Sequence, residues 1–168
     1  WQSLRNFYET NNVDHCISAE YTGPLHFVKF WLEEIQAWEK ETGKNAMIAL
    51  STTKDVQDSI LTNPAMAAVV DVIDIRYWHY QQNGELYAPQ GGLHLAPRQH
   101  ARLLKPKSTS PEQVYRAVLE YKQKFPGKAV MYSGDNYDRM GWPVLMAGGS
   151  FATLTAFSNP ALASQIAG

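Results

Sequence analysis

The sequence predicts an α/β domain in which short apolar strands alternate with amphipathic helices around a parallel sheet. Three observations carry that prediction. Apolar runs recur at Val13–Ala19, Ala46–Ser51, Val69–Trp78 and Ala129–Gly134. Between them lie segments whose apolar residues return at three- and four-residue spacings, the period of a helix with one buried face. The runs themselves are apolar on both alternating faces, as strands covered on two sides are.

Each element has its own signal. Val13–Ala19 feeds a helix from about Pro24 to Thr42, with Phe27, Phe30, Trp31, Ile35 and Trp38 as a wide apolar stripe expected to be core, and Gly43 in the C′ position. Ala46–Ser51 is the second strand, followed by a helix from about Lys54 to Leu61 that Asn63-Pro64 breaks. "VVDVIDIRYW", Val69 to Trp78, is the third strand; Asp71 and Asp74 inside it are expected to be structural. From His79 to about Thr109 runs a long segment without clear periodicity. Ser110-Pro111-Glu112-Gln113 then reads as an N-cap with Pro at the first helical position and a capping-box glutamine, opening a helix that Pro126-Gly127 closes. Ala129–Gly134 is the fourth strand, Tyr137–Ala147 a helix, and Phe151–Thr155 a possible fifth strand.

At 168 residues the chain suits one domain, residues 1–168, able to bury a core without metal or disulfide staples. A net charge of -1 and the lack of a basic run argue against nucleic acid. Cys16 is alone, so an intrachain disulfide and a thiolate metal cluster are excluded, and the spacings of the five histidines match no zinc site. No stretch is apolar for long enough to span a membrane, and none reads as a signal peptide. Trp1 opens in what reads as the tail of a helix, so a preceding part is expected, with room there for a targeting segment. Two architectures fit: an open doubly wound sheet, or part of a (β/α)8 barrel. A complete barrel takes about 250 residues, and this chain has room for roughly five units. Length and the start inside a helix favour a partial barrel.

In such folds ligands bind beyond the C-terminal strand ends. Here those ends carry Glu20-Tyr21, Ser51-Thr52-Thr53, Arg76-Tyr77-Trp78-His79-Tyr80 and Asp135-Asn136-Tyr137-Asp138. Each residue has a plainer use: Glu20 as a helix cap or partner of Arg76, Asp135 and Asp138 as N-caps. Together, two carboxylates on separate strand ends with aromatics beside them are what glycosidic bond cleavage needs. The near-zero charge and the lack of a phosphate-cradling glycine loop fit a neutral substrate.

"SAEYTGPLHFVKFWLEEIQAWEKETGK", "IALSTTKDVQDSIL" and "VVDVIDIRYWHYQ" resemble the C-terminal half of TIM-barrel glycoside hydrolases of the clan whose acid/base Glu follows the fourth strand. "YSGDNYDRMGWPVLMAGGSFATLT" is similar to the last two βα units of apiosidase-like and collagen-binding-domain-associated glycosidases. The likeness covers most of residues 11–156. It implies strands four to eight of a barrel, with the N-terminal half elsewhere in the parent protein. It also implies Glu20 as acid/base and Asp135 as nucleophile or base at the end of strand seven. The clan's Asn-Glu pair is Ala19-Glu20 here, and its nucleophilic Glu is replaced by Asp135.

The expectation is thus a carbohydrate-active hydrolase acting on an oligo- or polysaccharide, without cofactor or metal. Tyr21, Arg76, Tyr77, Trp78, His79, Tyr80, Asn136 and Asp138 are expected to bind the sugar. A periplasmic or extracellular location follows from the likeness alone. A non-catalytic sugar-binding relative and an unrelated open α/β enzyme are the alternatives.

Overall fold

Strand β1 (His15–Cys16) lies parallel to β2 (Ile48–Leu50), β2 to β3 (Val72–Ile75), and β3 to a later strand, Ala129–Tyr132. This is a computed structural model that describes residues 2–7, 9–10, 13–17, 21, 23–76, 79–80, 86–87 and 110–150, with the side chains of 79–80 and 86–87 outside the description. Between β3 and Ala129–Tyr132 a separate antiparallel pair forms from β4 (His79–Tyr80) and β5 (Leu86–Tyr87), so Ala129–Tyr132 is β6. The parallel sheet runs β1-β2-β3-β6, in chain order and without reversal. Among the described residues there is therefore no switch point of the doubly wound kind.

The helices are α1 (Gln2–Phe7), α2 (Leu25–Thr42), α3 (Lys54–Leu61), α4 (Pro64–Val69), α5 (Pro111–Lys124) and α6 (Gly141–Met146), with a 3₁₀ turn at Tyr137–Arg139. Helices α2, α3 and α4 pack on one another, and α5 packs on β3, β6 and α6. Strand residues Ile48, Leu50, Ile73, Ile75, Val130 and Tyr132 join one buried cluster with Val28, Leu32, Ile35 and Trp38 of α2, Val56 and Ile60 of α3, and Val114, Val118 and Tyr121 of α5. Ala49 and Val72 are just as buried but lie outside that cluster. Strand alternation places them on the sheet's second face, where paired residues Cys16, Ala49, Val72 and Ala129 form a row of small side chains.

Several expectations change. The described strands are shorter than the apolar runs: Val69 belongs to a helix, and Ser51 and Ser133 follow the last residues of their strands. Val69 ends α4 rather than opening a strand, since Asn63-Pro64 both stops α3 and starts α4. The Asn63 side chain accepts from the backbone N–H groups of Ala65 and Met66, with Pro64 at the first helical position. The Tyr137–Ala147 helix divides into the 3₁₀ turn and α6. Part of the unpatterned 79–109 segment is the β4–β5 pair; the rest lies outside the described residues, as does the possible strand at Phe151–Thr155. The most consequential correction concerns α2. Its sheet-facing stripe is Val28, Leu32, Ile35 and Trp38, while Phe27, Phe30 and Trp31, expected in the core, stand 38%, 53% and 39% exposed.

Other features hold as read. Ser110 and Gln113 make the reciprocal capping box at the start of α5. Gly43 closes α2 in the left-handed region at φ 67°. Asp71 is structural: its Oδ2 accepts from the Ile48 N–H at 2.9 Å, satisfying a backbone donor at the start of β2. Lys128 donates to the carbonyls of Ala67 and Val70, answering acceptors that the end of α4 leaves open. Ser150 N–H donates to the Val130 carbonyl at 2.8 Å, bringing the chain back to the outer edge of β6.

Candidate functional site

The C-terminal ends of β2, β3 and β6 meet on the second face of the sheet. Register sets what converges there. Ala49 is opposite Val72, and Asp74 is opposite Met131. One further step along that face places Ser51 beside Asp74 on the β2 side, and Arg76 beside Ser133 toward β6. The Ser133 hydroxyl donates to Asp74 Oδ2 at 2.7 Å and accepts from Arg76 Nη1 at 3.2 Å.

Asp74 is only 7% exposed. Burial raises its carboxyl above the usual aspartate range; the Ser133 and Ser51 hydroxyls, the Arg76 guanidinium and the Ser133 backbone N–H pull it back down. Its Oδ1 and the Ser51 Oγ are both buried and make no hydrogen bond of full geometry among the described residues. Asp74 is thus a half-satisfied acid within a serine–aspartate–serine–arginine cluster.

The turn after β6 carries Asp135. Tyr132 folds its ring over Gly134 and donates its hydroxyl to the Asp135 carbonyl at 3.1 Å. The same device stands at the end of the first unit, where Tyr21 folds over Gly23 and donates to the Pro24 carbonyl at 2.8 Å. In both, a Tyr ring packs on the glycine two residues ahead and ties the carbonyl three residues ahead. At Gly134 an added Cβ would lie 2.6 to 2.8 Å from the Tyr132 ring and hydroxyl. Tyr132 is 5% exposed within the core cluster, so its ring has little room to yield. Gly134→Ala is expected to cost about 1–3 kcal/mol, as overpacking does, and to release the Asp135 turn. Urea unfolding of the variant measures the first effect.

The expected site residues divide as follows. Arg76 belongs to the cluster, and Asp135 stands in the turn two residues after Ser133. Asn136 sits in the left-handed region at φ 54° and is exposed, as are Tyr137 and Asp138. Neither Asp135 nor Asp138 is a capping residue: Asn136 and Met140 hold the N-cap positions of the two following turns. Tyr21 pairs with Thr52 in a parallel bridge and stacks on Phe27 of α2 at 5.1 Å, so its ring turns to the helix layer rather than toward Asp74. Burial raises its hydroxyl above the usual tyrosine value. Glu20, Tyr77 and Trp78 lie outside the described residues, and for His79 and Tyr80 only the strand pairing is described.

Sequence reasoning gave Asp74 a structural role and passed over Ser133. A signal for the polar strand end at Asp74 was present. Val72, Asp74 and Arg76 share one face at period two, and a charge followed two residues later by an opposite charge inside an apolar strand marks a polar strand end.

A family model described as "Domain of unknown function (DUF6298)" matches residues 1–168. The chain belongs to that family. No curated protein and no solved structure matches it. For this DUF6298 chain, function therefore rests on the cluster and its surroundings. A cavity of about 340 Å³ opens at the opposite end of the sheet between Phe7, His15, Met47 and Asp71. Its Asp71 is already committed to the Ile48 N–H.

Proposed function

We propose that this chain forms about strands four to eight of a (β/α)8 barrel and hydrolyses O-glycosidic bonds, with Glu20 as general acid/base and Asp135 as nucleophile or base. The observation that carries the reading is the convergence of Ser51, Asp74, Arg76, Ser133 and Asp135 at one end of a parallel sheet whose strands follow in chain order. Chain-order parallel strands with right-handed crossovers put their helices on one side, which is how a barrel wall is built. Polar side chains at the C-terminal end of such a wall are where its chemistry is found.

The flanks support the barrel. Large exposed apolar side chains gather on α2 (Phe27, Phe30, Trp31) and on α6 (Trp142, Leu145, Met146), whereas α3 to α5 between them contribute only Tyr115. Helices at the two ends of an unclosed arc lack a neighbour on one side. The N-terminal βα units of the same barrel are the occupants this reading assigns to both flanks. Its substrate is an oligo- or polysaccharide, and its place, from the glycosidase likeness, the periplasm or cell exterior.

The test uses the full-length protein against a panel of plant and bacterial polysaccharides, comparing wild type with Glu20→Gln and Asp135→Asn. Loss of hydrolysis in both variants is the expected result. Wild-type rates in both on a substrate that is cleaved would overturn the assignment. In a full-barrel structure, carboxyl groups about 5–5.5 Å apart would predict retention, and about 6.5–9.5 Å inversion.

A further inference from the structure

We propose that Asp74 is a hydrogen-bonding clamp for a hydroxyl group of an uncharged polyhydroxylated ligand, with Oδ2 fixed by Ser133 and Oδ1 left to the ligand. The proposal gives the C-terminal strand end of the preceding section a residue that neither the carboxylate pair nor the glycosidase likeness supplies. It rests on that section only for the sugar-like character of the ligand.

The geometry has three parts. The Ser133 hydroxyl is spoken for on both sides, donating to Asp74 Oδ2 at 2.7 Å and accepting from Arg76 at 3.2 Å, so the carboxyl plane is held. On the other side, Oδ1 and the Ser51 Oγ are two buried polar atoms on adjacent strands; the Ser51 hydroxyl is near enough to draw the Asp74 carboxyl down, but neither atom completes a hydrogen bond of full geometry among the described residues. Leaving such atoms unanswered costs about 1–3 kcal/mol each, a cost a ligand hydroxyl or an ordered water removes. Third, the site stands at the end of the sheet where Arg76 and the Asp135 turn also emerge, and Asp74 keeps 7% exposure there.

Charge selects the ligand class. Arg76 is the charged group facing Asp74 among the described residues; Ser51 and Met131 on β2 and β6 are neutral, as is Ser133. A cation would meet Arg76, and an anion would meet the carboxyl oxygen. A neutral hydroxyl suits both protonation states, because it donates to a carboxylate oxygen and accepts from a carboxylic acid. Adjacent hydroxyls on a pyranose or furanose ring would reach Oδ1 and Ser51 Oγ together.

The experiment has two arms, both on the full-length protein. Carboxyl ¹³C signals of labelled aspartate are titrated with pH, and methyl glycosides of glucose, galactose, xylose and arabinose are titrated while the Ser51 and Ser133 amide signals are followed. One aspartate should titrate above the ordinary range, and its signal should vanish in Asp74→Asn. Ser51→Ala should move that midpoint further up, since the serine hydroxyl draws it down. At least one glycoside should shift both serine amides. Its Kd should weaken roughly tenfold or more in Asp74→Ala, the worth of one buried hydrogen bond, and change less in Asp74→Asn, which keeps an acceptor and gains a donor. Three results would each overturn the proposal: an ordinary Asp74 titration with unchanged binding in Asp74→Ala, no glycoside perturbing the serine amides, or an ordered water on Oδ1 that no glycoside displaces. Should Asp74→Ala fail to fold, Ser51→Ala carries the binding arm, with about threefold weakening expected and unchanged affinity counting against the clamp. Active Glu20→Gln and Asp135→Asn variants would end the hydrolase reading and leave the clamp standing, so the two ideas fail separately.

Discussion

Truncating Tyr121 to Ala is expected to cost about 4 kcal/mol, the range for deleting a fully buried aromatic ring. Tyr121 is 0% exposed on α5, stacks on Phe125 at 6.1 Å, and lies beneath Lys54 Nζ at 5.0 Å from its ring centre. Its hydroxyl also ends a polar network joining α3 to α5: it donates to Asp58 Oδ1 at 2.5 Å. Lys54 Nζ lies 2.9 Å from both Asp58 and Glu120. Tyr121→Phe keeps the ring and removes only the hydroxyl, so about 1–2 kcal/mol is expected, measured with Tyr121→Ala by urea unfolding. Equal losses in the two variants would mean that the network, not the ring, holds α3 to α5. The hydroxyl has a pH signature as well. Burial, then the negative charge of Asp58, push its ionisation far above the tyrosine value of 10.0. Because the folded value exceeds the unfolded one, the stabilisation is complete below about pH 10 and declines above it, as the unfolded chain gains by ionising. In Tyr121→Phe that alkaline decline should be shallower.

What could be read from the sequence follows how local each signal is. The start of α5 was legible because Ser110, Pro111 and Gln113 specify a cap through contacts within four residues. The stop of α2 was legible for the same reason, Gly43 being suited to a left-handed backbone. Helix α4 was not, because the Asn63-Pro64 pair that ends one helix is chemically the same pair that begins another. The exposed rings of α2 were misassigned because a stripe of apolar residues says that a helix has a buried face, not which of two neighbouring flanks the sheet takes. Val28 and Leu32 won that contest over Phe27 and Trp31, and the rings were left facing outward. The polar cluster needed information that no short window holds. Asp74 and Ser133 are 59 residues apart, and their 2.7 Å contact exists because β3 and β6 pair in one register rather than another. A shift of one residue would have turned Asp74 into the helix layer, where a buried carboxylate has no serine to meet.

Glu20→Gln and Asp135→Asn are expected to fail in different ways, and the difference assigns the two roles. A general acid matters in proportion to how poor the leaving group is. On a natural polysaccharide, whose departing oxygen must be protonated, loss of the Glu20 proton should lower kcat about 10²–10⁴-fold. On an aryl glycoside with an acidic phenol the leaving group departs without help, so much of the first bond-breaking rate should return. With the proposed roles, Asp135→Asn removes the group that attacks or activates water, and no choice of leaving group replaces it; its loss should be similar on both substrates. Added azide should rescue one variant if the enzyme retains configuration, since a small anion can attack where the carboxylate was. The pH profile of kcat/KM gives an independent reading: its basic limb reports the acid in the free enzyme and should flatten in Glu20→Gln, while its acidic limb should flatten in Asp135→Asn. A reversed pattern, with the leaving-group dependence in Asp135→Asn, would exchange the two roles. The same loss on every substrate in both variants would show that Glu20 acts by holding the cleft together rather than by giving up its proton.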